Sequence, residues 1–276
     1  MNKEKNYRNR NFNEKDREDG KERSGRVENE NSSYIEGRNA CLEAFRAGKT
    51  IDKLYVQDGI GEGMVQTIIK AAKRSETIIN FVDKKRLDQI SYTGKHQGVI
   101  AVASAYEYAT LEDILKKAEE KNESPFVIIA DQIEDPHNLG SIIRTANLAG
   151  AHGVIIPKRH AVGLTATVAR SSAGALNYTP VCKVTNIART IDELKERGMW
   201  FVCADMDGQS IYEIDMKGSI GIVMGSEGSG VSRLVKEKCD FVASIPMQGD
   251  IDSLNVSVAC GILAFERLHQ MQSKTQ

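Results

Sequence analysis

Three short stretches hold the residues whose types and spacing could do chemistry. The first is DQIEDPHNLGSIIRTANLAG, Asp131 to Gly150, where Asn138, Gly140 and Arg144 follow an apolar run. The second is GSEGSG, Gly225 to Gly230, with Glu227 among the glycines. The third is QGDIDSLN, Gln248 to Asn255, which runs on into Ser257 and Ala259 and carries Ser253 and Asn255. An Arg early in a helix can meet a phosphate, because helix N–H groups and a planar guanidinium both suit bound oxyanions. Glycines let backbone amides approach a ligand closely. Each stretch also has a plain structural reading: a capping Asn with a surface Arg, a loop with a solvated Glu, and tight helix packing at Ser257 and Ala259. The glycine spacing is not a dinucleotide fingerprint, since the first βα turn lacks GxGxxG, and no GK[ST] follows to make a Walker loop.

These stretches need a scaffold, and the C-terminal half supplies a regular one. Strands are expected at Phe126 to Ala130, Gly153 to Pro157, Val181 to Val184, Trp200 to Ala204, Ile220 to Met224 and Phe241 to Met247. Helices are expected at Leu139 to Ala149, Leu164 to Ala173, Ala188 to Arg197 and Asn255 to Gln272. Strand–helix alternation implies a mostly parallel sheet covered on both faces. The three stretches then fall at carboxyl ends of strands, where open α/β sheets bind ligands. Pro136 is expected to stop the strand, Asn138 and Ser253 to act as N-caps, and Arg144 to lie about one and a half turns into its helix.

Ahead of this lies a smaller α/β unit. It comprises a helix within Gly37 to Gly48, a strand Leu54 to Val56, a helix Met64 to Ser75 with Met64, Ile68, Ile69 and Ala72 on one face, a strand Ile78 to Val82, a short helix Lys84 to Ile90 and a strand Gly98 to Ala105. A charged helix from Thr110 to Lys121, with Thr110 as N-cap, leads to the breaker Asn122 to Pro125. The resulting organisation is a tail over 1–31, a small α/β unit over 32–106, a linker helix over 107–123 and a main domain over 124–276. In the tail, nine Lys or Arg against eight Asp or Glu leave +1, with almost no aliphatic residues. Such a segment cannot bury enough apolar surface to offset its ordering entropy, so it reads as disordered.

Composition excludes several classes. The 276 residues are 41% hydrophobic and 27% charged with net charge −1, which suits a globular chain and leaves nucleic-acid binding to local basic patches. No apolar run approaches the ~18 residues of a membrane span, and the N-terminus is too charged for a signal peptide. The five cysteines are scattered without CxxC or a His at ligand spacing, which points away from zinc and disulfides and toward a reducing cytoplasm.

Asn138 to Ala146 (NLGSIIRTA), Val223 to Gly230 (VMGSEGSG) and Ile245 to Ala259 (IPMQGDIDSLNVSVA) together resemble the three motifs of the SpoU/TrmH branch of the SPOUT RNA methyltransferases. Residues 34 to 105 resemble the L30e-like RNA-binding domain of that branch's 23S rRNA guanosine 2′-O-methyltransferases. The resemblance implies a trefoil-knotted α/β domain, an obligate homodimer with each active site near the subunit interface, and S-adenosylmethionine as cofactor. RNA, rather than DNA or a membrane, is the implied partner, and no metal is implied. Arg144 would bind the RNA phosphate and stabilise charge developing on the ribose 2′-oxygen. A guanidinium keeps its proton at neutral pH, so the proton could leave through the phosphate or through an Arg of depressed pKa. Asn138, Glu227, Ser253 and Asn255 would position the reacting groups. Met224, Gly225, Gly228, Ile245, Met247, Leu254 and Asn255 would line the cofactor site. Lys95, His96 and Gln97, expected to be exposed, would with Arg38 and Asn39 form an RNA face or simply surface charge, and Lys158 and Arg159 with His160 a phosphate patch. A tRNA ribose methyltransferase or a non-catalytic ribosome-assembly factor is the alternative.

Overall fold

A computed structural model describes residues 34–61, 63–251 and 253–273 of the chain. The expected disorder of 1–31 falls outside the described residues. The apolar runs of the C-terminal half form six strands: β5 (Phe126–Ala130), β6 (Gly153–Pro157), β7 (Val181–Val184), β8 (Trp200–Ser210), β9 (Ile220–Met224) and β10 (Phe241–Ser244). They lie in the order β10-β8-β9-β5-β6-β7, and every neighbouring pair is parallel. All residues of β5, β6 and β9 are buried, as a sheet covered on both faces requires.

Alternation along β5 sorts the core into two layers. Phe126 and Ile128 join one cluster with α5 (Pro136–Leu148), α6 (Ala166–Ser171) and α9 (Val256–Gln272). Val127 and Ile129 join the other with α4 (Leu111–Glu120), α7 (Ile187–Glu196) and α8 (Arg233–Lys238). The α5–α6 contact is tight because Gly140 has no side chain: a Cβ there would lie 2.4 Å from the Ser171 Cβ and 2.8 Å from the Val168 carbonyl oxygen.

The N-terminal unit is a four-stranded mixed sheet in the order β1-β4-β2-β3, built from β1 (Tyr34–Glu36), β2 (Ile51–Gln57), β3 (Ile78–Val82) and β4 (Val99–Ala103). Helices α1 (Arg38–Arg46) and α2 (Met64–Arg74) cover one face through Leu42, Ile68 and Ala72, and α3 (Lys84–Ile90) buries Leu87. Thr110 caps α4 in a full capping box with Asp113.

Several local expectations need correction. On α2 the buried residues are Val65, Ile68, Ile69 and Ala72, while Met64 is 39% exposed. Strand β8 continues six residues past Ala204, and β10 stops at Ser244, so Ile245 and Met247 lie in a loop. Pro136 does not stop a strand. It opens α5 behind the N-cap Asp135, whose carboxylate accepts the N–H groups of His137 (2.6 Å) and Asn138 (2.9 Å). Arg144 therefore lies more than two turns into α5. At α9 the cap is Asn255, not Ser253.

Candidate functional site

The extension of β8 and the loops after β9 and β10 enclose a pocket of roughly 310 Å³, within the usual range for small-ligand sites. Met224, Gly225, Gly228, Ile245, Met247 and Leu254 line it, as does Ser253. Beside it is a cleft of roughly 330 Å³ lined by Gln132, Glu134, Asp135 and Asn138. Ser226, Glu227, Ser229 and Val256 border both. One wall therefore separates a largely apolar compartment from a polar, acidic one.

That wall is tied together across the three motif stretches. Asn138 Nδ2 donates to Glu227 Oε1 (3.1 Å), and Asn255 Nδ2 donates to the same oxygen (2.6 Å) and to Asn138 Oδ1 (3.0 Å). Asn255 Oδ1 meanwhile accepts the Ser257 N–H (2.9 Å) and hydroxyl (2.6 Å), which seals the start of α9. Glu227 thus spends one oxygen on two amides and leaves Oε2 without a protein donor among the described residues.

The glycine loop is shaped by its own closure. Ser226 and Gly230 exchange both backbone hydrogen bonds, and Ser226 and Ser229 join through their hydroxyls (2.7 Å). A Cβ on Gly225 would lie 2.0 Å from the Gly230 carbonyl carbon, and Gly230 has φ +66. These two glycines let the loop fold back on itself; Gly228 faces open space. Buried Asp131 at the end of β5 anchors the loop by accepting the Ser232 N–H (2.9 Å).

Sequence reasoning passed over two acids. Asp205, on the extension of β8, lines the pocket and pairs with Lys236 Nζ of α8 at 2.7 Å. That hydrogen bond holds the Asp205 carboxyl below the ordinary range. An acidic residue at the end of a parallel strand was the available signal. Glu36 clamps the loop after α3, accepting the Ser91 hydroxyl (2.8 Å) and the N–H groups of Tyr92 (2.6 Å) and Thr93 (3.2 Å). Tyr92 stands 58% exposed on that clamped loop.

The remaining expected site residues are scattered. Arg144 is exposed, lines neither space and makes no hydrogen bond or ion pair among the described residues. His96 is buried, not exposed: Nε2 meets Asp88 at 2.9 Å and Nδ1 accepts the Gly98 N–H at 3.0 Å. Asn39 and Lys95 are exposed, and Arg38 is held to Gln97 through its backbone N–H and its Nε. Lys158 is paired with Glu76 of the N-terminal unit, while Arg159 is exposed. Among the described residues no group of three His, Cys, Asp or Glu could hold a metal, no helix is long and apolar enough to cross a membrane, and all five cysteines are free.

The fold, a parallel-sheet domain joined to a small mixed-sheet unit, is similar to that of solved methyltransferases. The AdoMet-bound rRNA methyltransferase of Sinorhizobium meliloti superposes with TM-score 0.55 at 24% identity, over 87% of this chain and 88% of that one. AviRb of Streptomyces viridochromogenes, a SpoU methyltransferase crystallised with AdoMet, gives TM-score 0.55 at 23% identity over 86% and 90%. Both are likenesses of fold. The chain itself belongs to the SpoU rRNA Methylase family of RNA methyltransferases, which its residues 125–265 match, while 34–109 match the RNA 2′-O ribose methyltransferase substrate binding family. YacO of Bacillus subtilis (strain 168), assigned to the TrmH family of tRNA/rRNA methyltransferases, is 50% identical over 234 residues, 84% of this chain and 94% of that protein.

Proposed function

We propose that this chain methylates the ribose 2′-hydroxyl of a guanosine in 23S rRNA, with S-adenosylmethionine as methyl donor, and that it acts as a homodimer. The observation that carries the reading is the Asn138–Glu227–Asn255 network on the wall between the two compartments. The residues suit the donor. Met224, Ile245, Met247 and Leu254 offer an apolar slot for a nucleoside, and the carboxylates of Asp205 and Glu227 suit a cationic ligand. When bound, S-adenosylmethionine supplies an electrophilic methyl group. The polar cleft on the other side of Glu227 is then the place for the ribose.

A 2′-hydroxyl is a weak nucleophile; as the new O–C bond forms, the donor's S–CH3 bond would break to leave a neutral thioether, and the hydroxyl proton would pass to the neighbouring RNA phosphate. Asn138 and Asn255 hold Glu227 in one orientation, and its unpaired Oε2 is available to orient the ribose. Arg144 binds the adjacent phosphate and stabilises the oxygen as it becomes negative. Within one chain it stands six residues beyond Asn138, about 9 Å along α5 and on another side of the helix. On the same side as Arg144, one turn on, is Leu148 at 62% exposure; on the neighbouring α9 are Val258 at 51% and Phe265 at 46%. A second copy covering these apolar residues would bring Arg144 to an interface and so within reach of the other copy's cleft.

The match of 125–265 to the SpoU rRNA Methylase family, with a substrate-binding unit over 34–109, supports rRNA. The decisive experiment is transfer of labelled methyl to rRNA fragments and tRNA, followed by mapping of 2′-O-methyl positions. Labelled tRNA with unlabelled rRNA would replace the 23S assignment, and cofactor binding without transfer to any RNA would end the enzymatic reading.

A further inference from the structure

The pocket occupies the β8, β9 and β10 end of the sheet's carboxyl edge. The β6 and β7 end of that edge carries the N-terminal unit. Asp52, on β2, is buried and pairs with Lys183 on β7, Oδ1 to Nζ 2.6 Å, the two side chains being 6% and 12% exposed. The Tyr108 hydroxyl, from the connecting segment, donates to Asp52 (3.0 Å) and accepts the Leu164 N–H (2.9 Å). The Lys183 ammonium also stands 4.7 Å from the Tyr108 ring centroid. Burial and the Asp52 charge push the Tyr108 phenol well above its usual range, so it stays a donor. There is no slack: a Cβ on Gly163 would lie 2.1 Å from Asp52 Oδ2. A second ionic contact joins Glu76, in the turn between α2 and β3, to Lys158 just after β6. That turn is fastened to the start of β2, because the Thr77 hydroxyl donates to the Ile51 carbonyl (3.2 Å). Both ionic contacts therefore hold one corner of the N-terminal unit.

An apolar seam tolerates sliding, since burial of apolar surface has no preferred direction. A buried ion pair sharing a phenol has one register, and breaking it leaves a bare charge in a dry place. We propose that Asp52, Tyr108 and Lys183 are positioning residues that lock the RNA-side unit at a fixed distance from the cleft beside Glu227, so that RNA held by that unit presents one particular ribose. Neighbouring strands are about 4.8 Å apart, which sets the β6 end of the seat roughly 10 Å along the sheet from β9, whose loop carries Glu227. On this basis selectivity comes from a ruler as well as from contacts. The inference rests on the methyltransferase reading for its consequence, though not for its structural half.

The full-length protein tests both halves. Asp52→Asn and Lys183→Glu should widen the distribution of inter-unit distances in small-angle scattering. They should lower kcat/KM on an rRNA fragment on the order of a hundredfold and spread methylation to neighbouring riboses, leaving S-adenosylmethionine binding unchanged. The reversed pair, Asp52→Lys with Lys183→Asp, should recover both properties, which a loss of general stability would not. Tyr108→Phe gives a milder loss of the same kind and serves if a charge variant fails to fold. Wild-type scattering and a single methylated position in Asp52→Asn, or in Tyr108→Phe where the former is unfolded, would overturn the lock. If the wild type transfers methyl to no RNA, the functional reading fails while the scattering still decides the lock.

Discussion

At the β8, β9 and β10 end of the sheet, loops of glycine, serine and apolar residues leave room for a ligand. At the β6 and β7 end, the same carboxyl edge is filled by a second unit through Asp52, Tyr108 and Lys183. Parallel strands serve both ends, so the difference lies in the loops and in the extension of β8. Where a loop closes on its own backbone, as Ser226 does with Gly230, the space beside it stays open. Where a loop such as Gly163–Leu164 hands its backbone to another segment, the space closes. The edge of a parallel sheet thus offers sites without deciding which become pockets and which become seats.

Removing charge at the seat should produce the largest stability effect. Lys183→Met strands the buried Asp52 carboxylate and should cost about 3–5 kcal/mol in urea unfolding. Lys158→Met, whose partner Glu76 is solvent-exposed, should barely shift the midpoint. Comparable losses for both would mean the seat is not a distinct buried joint. On the open side, Arg144→Ala should lower turnover by about a hundred- to a thousandfold while calorimetry finds S-adenosylmethionine binding intact. Unchanged turnover would remove Arg144 from the mechanism. Gly225→Ala sets a Cβ 2.0 Å from the Gly230 backbone, and should cost about 1–3 kcal/mol along with cofactor affinity.

A subtler check uses the opposite edge of the sheet. His152 is buried just before β6, its Nδ1 accepting the Phe126 N–H (3.0 Å) and its Nε2 facing Glu123 (3.0 Å). Burial depresses its pKa below the ordinary imidazole value, against a smaller opposing effect of Glu123. The unfolded chain then binds the proton more readily, so stability is full above pH 6.5 and falls as pH drops toward the depressed folded value. His152→Gln should flatten that slope between pH 7.5 and 5.5, without altering either end of the carboxyl edge. The smallest effect is expected from deleting residues 1–31, which should leave folding and activity on purified RNA nearly unchanged. A large fall in activity at moderate salt would give the tail a part in RNA binding.

Strands were legible because their signal is local. FVIIA, GVIIP and IGIVM are apolar throughout and could only be buried on both faces. The three motif stretches were also legible, and Asn138, Glu227 and Asn255 meet although the first and last are 117 positions apart. What sequence hid depended on partners elsewhere. His96 is polar and loop-borne, and its burial depends on Asp88 of another element at Nε2 together with the Gly98 N–H at Nδ1. Lys158 looked free for phosphate because its carboxylate partner lies 82 positions away in the other unit. Asp135 and Asn138 are both capping types, and the choice fell to Asp135 because Pro136 fits the first helical position without losing a hydrogen bond.

Asn255 belongs at once to a helix and to a wall. Its Oδ1 stops the first turn of α9 from fraying, and its Nδ2 holds Glu227. Local unwinding at that end must therefore release the partition between the compartments, and anything that steadies the partition must steady the turn. Deuterium uptake at the amides of Ser257 and Val258 becomes a gauge of occupancy, readable with no RNA in the tube. A substitution chosen to weaken the helix would be registered first as slack in the wall between the two compartments.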